Sequence, residues 1–161
     1  MSFFDRRNRV SSSASMPRVR GWQGGRSAAS PEASEDRDEV AAELDQIERS
    51  LAASLATARE LRLAWTEGGL YGQSHSDAVL SRLLNDVLGG LDDLAQALKR
   101  KRTRVGAVAG LIEELGRGAA PWTPLADRCA DLDGACQAGI EAMQDTRRAI
   151  TAEYMSLRRT A

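Results

Sequence analysis

His75, the single histidine of the 161-residue chain, lies between Ser74 and Ser76 and two positions before Asp77, so hydroxyl, imidazole and carboxylate fall within four residues. A nucleophile, its base and the group orienting that base must converge on one substrate atom, which adjacent residues at a helix start cannot do. The Ser74 to Asp77 spacing fits a capping box instead. Cys129 and Cys136 are the two thiols, seven residues apart. On one helix that spacing separates them by about 10 Å along the axis, too far for a disulfide. They read as small apolar residues on a buried stripe and favour a reducing, intracellular setting. The pairs Asp92-Asp93 and Glu113-Glu114 splay apart on a helix, unlike two carboxylates facing one bond. A structural zinc site and an iron–sulfur cluster both lack ligands, and no glycine-rich phosphate loop follows a strand. The expectation is a chain that is not an enzyme, with no catalytic residues, cofactor, metal or small-molecule substrate.

The basic residues carry the next candidate chemistry. Lys99, Arg100, Lys101, Arg102 and Arg104 fill five of six positions, but helical neighbours point about 100° apart, so they form a belt rather than one reading face. Pairing with carboxylates of neighbouring helices competes with an anionic docking patch or a nuclear-import signal. Arg6, Arg7, Arg9, Arg18, Arg20 and Arg26, offset by Asp5, give residues 1–29 a charge of +5, against −6 for residues 30–161. With Ser11-Ser12-Ser13, Gly24-Gly25 and Pro17, this stretch reads as a disordered tail. At about 1 kcal/mol per basic residue it assists weak contact with anionic membrane or nucleic acid without dominating it. Phe3, Phe4 and Trp22 are candidate anchors, the Ser-rich composition also suits an organelle transit peptide, and Ser30-Pro31 suits phosphorylation.

Helices must position these groups. Ser30-Pro31-Glu32 opens the first, with Ser as N-cap, Pro at the first helical position and acidic residues along the positive end of the helix dipole. Val40, Leu44, Ile47, Leu51, Ser54, Ala58, Leu61 and Trp65 follow alternating four- and three-residue steps to about residue 66. Trp65-Thr66-Glu67-Gly68 is similar to the Trp-x-Gly turn of small secreted helical-hairpin proteins, but its glycine comes one residue later. It is therefore read as a helix end with an aromatic cap, and no family is assigned. Gly68 to Ser76 is expected to be a loop.

A second helix is expected over about 76–116, where Leu80, Leu84, Val87, Leu91, Leu94, Leu98, Lys101, Val105, Val108, Ile112 and Leu115 hold one heptad register. The third, about 124–159, starts at Thr123-Pro124 and carries Leu125, Cys129, Leu132 and Cys136. A four-residue step then leads to Ile140, Met143, Arg147, Ile150, Tyr154 and Leu157. The fold class is all-α: three long helices in an up-down-up antiparallel bundle or a coiled-coil assembly, after the tail of residues 1–29. Trp65 and Trp122 are expected to plug its opposite ends.

With few aromatic residues and a long second helix, part of the seam is expected to await another chain. Leu91, Leu94, Leu98, Lys101, Val105, Val108, Ile112 and Leu115 are the candidate partner interface, and Lys101 at a core position is a register or pairing residue. Arg6, Arg7, Arg9, Arg18, Arg20, Lys99, Arg100, Arg102 and Arg104 are the candidate anionic-surface contacts. The functional expectation is a scaffold, tether or adaptor subunit binding other helical subunits, as hetero- or homo-oligomer. An anionic-surface module or an export or assembly chaperone is the alternative. The expected compartment is intracellular, the cytoplasm first, with nucleus and organelle as further options.

Overall fold

The structure, a computed structural model, describes residues 31–70, 76–116 and 120–160. The basic tail, its aromatics, the Ser30 cap, Tyr71, Ser74 and His75 lie outside them. The described chain forms three long α-helices: α1 (Pro31–Trp65), α2 (Asp77–Gly116) and α3 (Thr123–Thr160).

Interhelical ion pairs fix the topology. Arg104 near the end of α2 pairs with Glu43 near the start of α1, and Arg128 near the start of α3 bonds Asp45 and Glu48. Asp77, at the start of α2, meets Arg158 near the end of α3. Thus α1 and α3 run parallel, α2 runs against both, and the bundle is up-down-up as its short connections require.

The four-three positions of all three helices close on one another. Leu44, Leu91, Leu98, Val105, Cys129, Cys136 and Ile150 are at most 2% exposed, with Val40, Ile47, Leu51, Ile112 and Leu132 close behind. Each fully buried aliphatic side chain contributes about 1.5–3 kcal/mol, so this stripe is the main source of stability. Trp65 and Trp122 are buried toward opposite ends of the bundle. At the four-residue step after Cys136, Gly139 supplies the close approach: an added Cβ would stand 2.7 Å from Leu98 Cδ1 and 3.2 Å from Leu55 Cδ2.

Several local expectations are corrected. Thr66 to Gly69 does not stop the chain from coiling, because a π-helical turn continues through Leu70. Gly69 lies beneath the Trp65 ring, where an added Cβ would come within 2.9 Å, so absence of a side chain lets the turn close under the indole. Ser76 caps α2, its hydroxyl accepting from the Val79 amide at 3.4 Å and its carbonyl from Val79 and Leu80. Arg147 leaves the expected seam of α3 for the surface, where it meets Asp92 at 3.4 Å. Among the described residues no helix is long and apolar enough to cross a membrane.

Candidate interaction surface

The seam expected to receive a partner is core of the chain itself. Leu91, Leu98, Val105, Val108 and Ile112 are buried, and Leu94 and Leu115 pack partly buried against them. These side chains are therefore committed to packing within the bundle.

Lys101 is the polar exception within this seam. Its Nζ donates to Ser54 Oγ at 3.2 Å, and Ser54 Oγ donates to the Ser50 carbonyl at 2.9 Å. Burial pushes the Lys101 ammonium down from its ordinary value, because desolvation disfavours the charged form. Ser54 on α1 thus fixes the height at which α1 meets α2. Buried Cys129 and Cys136 are free thiols, both pushed up chiefly by burial. Among the described residues no group of His, Cys, Asp and Glu could hold a metal ion.

The basic belt fans out as the helical period requires. Lys101 turns inward, Arg104 reaches Glu43 on α1, and Arg102 reaches Asp133 at 2.7 Å and Gln137 at 2.7 Å on α3. Hydrogen bonding to Asp133 raises the Arg102 guanidinium above its usual value. Lys99 and Arg100 make no ion pair among the described residues. Of the belt's expected anionic contacts, only these two remain uncommitted, while Arg6, Arg7, Arg9, Arg18 and Arg20 lie outside the described residues.

Lys99 opens onto a shallow channel between α2 and α3. Two adjoining depressions of about 580 and 560 Å³ share Lys99 and Gln144, and no residue of α1 lines either. On α2 the lining steps through Asp92, Ala95, Lys99 and Arg102; on α3 it steps through Asp133, Gln137, Ile140, Gln144 and Arg147. Both follow a four-three repeat, so the channel runs lengthwise along the two helices. The α3 contribution, Gln137, Gln144, Arg147 and Arg148, was not among the expected site residues. Its signal was a second, polar four-three stripe beside the apolar one.

The opposite reach of the bundle is tied by a polar clamp. Arg62 donates two 2.6 Å hydrogen bonds to Glu153, and Trp65 Nε1 donates a third at 2.8 Å. Tyr154 shares a 2.9 Å hydrogen bond with Ser81 and meets Trp65 edge-on at 6.5 Å. Leu63, Val79 and Met155, the large exposed apolar side chains among the described residues, occur on the corresponding stretches of the three helices. Asp92, Asp93, Glu113 and Glu114 are exposed, and Asp92 serves Arg147 rather than a second carboxylate.

No family model matches the chain, and neither the curated proteins nor the solved structures hold a match.

Proposed function

We propose that this protein is a non-enzymatic helical-bundle subunit that works by protein contact, as scaffold, tether or adaptor in a larger assembly. One observation carries the reading: the α2–α3 channel repeats the four-three spacing of a helix-packing seam on a flank that α1 does not cover. Its floor residues Ala95 and Ile140 are small or nearly buried, and its walls are polar, the composition of a seat that stays hydrated until a partner arrives. Coiled-coil pairing with another helical subunit follows from that geometry. The buried free thiols support an intracellular, cytoplasmic setting.

A photo-crosslinking residue placed at Gln144, in the channel, is compared with one at Ala56, on the exposed side of α1. The expected result is a discrete protein adduct from position 144 in cells and none from position 56. No adduct at either position, or equal yield at both, overturns the reading. The anionic-surface alternative retains Lys99 and Arg100 from the belt, since Arg102 and Arg104 are held by carboxylates. It predicts retention on anionic lipid or nucleic acid that falls steeply with salt.

A further inference from the structure

Unpaired negative charge gathers at one end of the bundle. Residues 31–45, 105–116 and 120–131, which are the start of α1, the end of α2 and the start of α3, hold eleven acidic side chains and two cations, Arg37 and Arg128. Arg128 is taken by Asp45 and Glu48, and Glu43 is taken by Arg104 from further along α2. Glu35, Asp38 and Glu39 are exposed on one face of α1, at i, i+3 and i+4, and have no ion partner among the described residues. Glu113 and Glu114 are likewise exposed and unpaired, at the negative end of the α2 dipole in a last turn without a basic residue.

The same end is where residues 1–29, with their charge of +5, join the bundle through Ser30. We propose that the arginines of this segment dock on the acidic face of α1 in their own chain, Arg18, Arg20 and Arg26 against Glu35, Asp38 and Glu39. Reach permits it: Arg26 is five residues before Pro31, a span of at most about 17 Å, and Pro31 to Glu39 is about 12 Å along the helix. Arg6, Arg7 and Arg9 have enough chain to reach Glu113 and Glu114 on the neighbouring helix. The occupant is the chain's own segment because the tether supplies it at an effective concentration in the millimolar range, above that of a second copy or a foreign peptide at micromolar levels. Exposed ion pairs are individually weak, so docking requires several at once and loosens as salt rises. Its consequence is masking: these arginines are the ones expected to contact anionic lipid or nucleic acid, and a polyanion must displace α1 to reach them. None of this depends on the α2–α3 channel being an interface.

A photo-crosslinking residue in place of Trp22, between Arg20 and Arg26, tests this in the full chain. Mixing isotope-labelled and unlabelled chains separates adducts within a chain from adducts between chains by mass. At about 0.05 M salt the expected adducts lie within one chain and concentrate in residues 34–42 and 111–116, with a yield that falls about fivefold or more at about 0.5 M salt. Glu35→Gln/Asp38→Asn/Glu39→Gln should lose them to a similar extent. Glu60→Gln/Asp86→Asn/Asp93→Asn, which removes the same charge from exposed positions elsewhere on α1 and α2, should keep them. Circular dichroism checks the helicity of both variants; if the face variant frays, the adduct map and salt response of the parent decide. Adducts spread over the whole bundle, a yield indifferent to salt, or equal loss in both variants overturns docking on this face. Adducts joining labelled to unlabelled chains overturn it in favour of a second copy. Vesicles containing phosphatidylserine test the masking: the face variant should bind them several-fold more tightly than its charge-matched control, and equal binding overturns the masking.

Discussion

Trp65 Nε1 and Glu153 Oε2 are 2.8 Å apart, a hydrogen bond that joins the buried end of α1 to the last turns of α3. An indole this deep needs an acceptor for its N–H, and Glu153 supplies it while its carboxylate also takes both Arg62 contacts. The Arg62 hydrogen bonds, aided by Trp65, hold the Glu153 carboxyl below its ordinary range, and Glu153 in turn raises Arg62.

A depressed carboxylate contributes stability that is present above its unfolded value, near 4.3, and lost as pH falls through the lower folded one. Side-chain exposures of 35% for Arg62 and 29% for Glu153 call for a discount on the pair's strength. Glu153→Ala is expected to cost about 2 kcal/mol at neutral pH, mostly from the orphaned Trp65 N–H and the lost charge-assisted bonds. Urea unfolding of both proteins from neutral to strongly acidic pH should show the gap narrowing once the medium falls below the ordinary glutamate range. A gap unchanged across that range would remove the ionised clamp from the account.

Lys101 has the opposite effect on stability at neutral pH. Its charged form is penalised by burial and compensated by one hydrogen bond to Ser54, whose own donor is already used by Ser50. Lys101→Met should therefore stabilise the isolated bundle by about 1 kcal/mol without leaving Ser54 stranded. Because the folded lysine loses its proton before the unfolded one, the parent gains stability as pH rises toward 10.5 and the difference shrinks. Chemical unfolding of the two proteins at neutral and alkaline pH checks both sign and trend. A destabilised Met variant would mean that the lysine–serine contact outweighs the desolvation.

The sequence made α2 legible because its apolar register is continuous and Lys101 breaks it at a single position. It also revealed the buried roles of Cys129, Cys136 and Trp65 through spacing, and that of Trp122 through its place at the second turn. The end of α1 was less legible: Gly68-Gly69 reads as a stop, but Gly69 gives the Trp65 ring room and the chain coils through Leu70. Arg147 kept the formal heptad phase after the step at Cys136, yet an unpaired cation gains nothing in the core and Asp92 lies within reach outside. The channel escaped notice because hydropathy marks apolar stripes, whereas Gln137, Gln144 and Lys99 repeat with the same period in polar form. The partner role given to Leu91 through Leu115 depended on whether α1 and α3 fold back. A heptad seam reads the same whether its own chain or another fills it.

Two alanine substitutions of helical glycines should move stability in opposite directions. At Gly139 a Cβ would press on Leu98, which is fully buried and cannot swing aside, so Gly139→Ala should cost about 1–3 kcal/mol. At Gly110 nothing lies within 4 Å of the new carbon, and the gain in helix propensity should stabilise by about 0.5–1 kcal/mol. Thermal melts of the two variants decide it. A neutral Gly139→Ala would show that α3 does not approach α1 and α2 as closely as the Leu55 and Leu98 contacts require.

The thiols provide a probe of how tightly the bundle closes. Cys129 and Cys136 are 2% and 0% exposed, and burial raises both thiols, so the reactive thiolate is scarce and shielded in the folded chain. Modification by an aromatic disulfide reagent must then wait for an opening of the helices, and its rate follows the population of the open form. The expected rate in native buffer is slower than that of an unfolded control by about a thousandfold or more, with both thiols reacting together and sub-denaturing urea accelerating them. Glu153→Ala, which loosens the far end of α3, should accelerate both if the helix opens as one unit. It should spare them if only the final turns fray. Rates close to the unfolded control in native buffer would mean that α3 is not held in place by this chain alone.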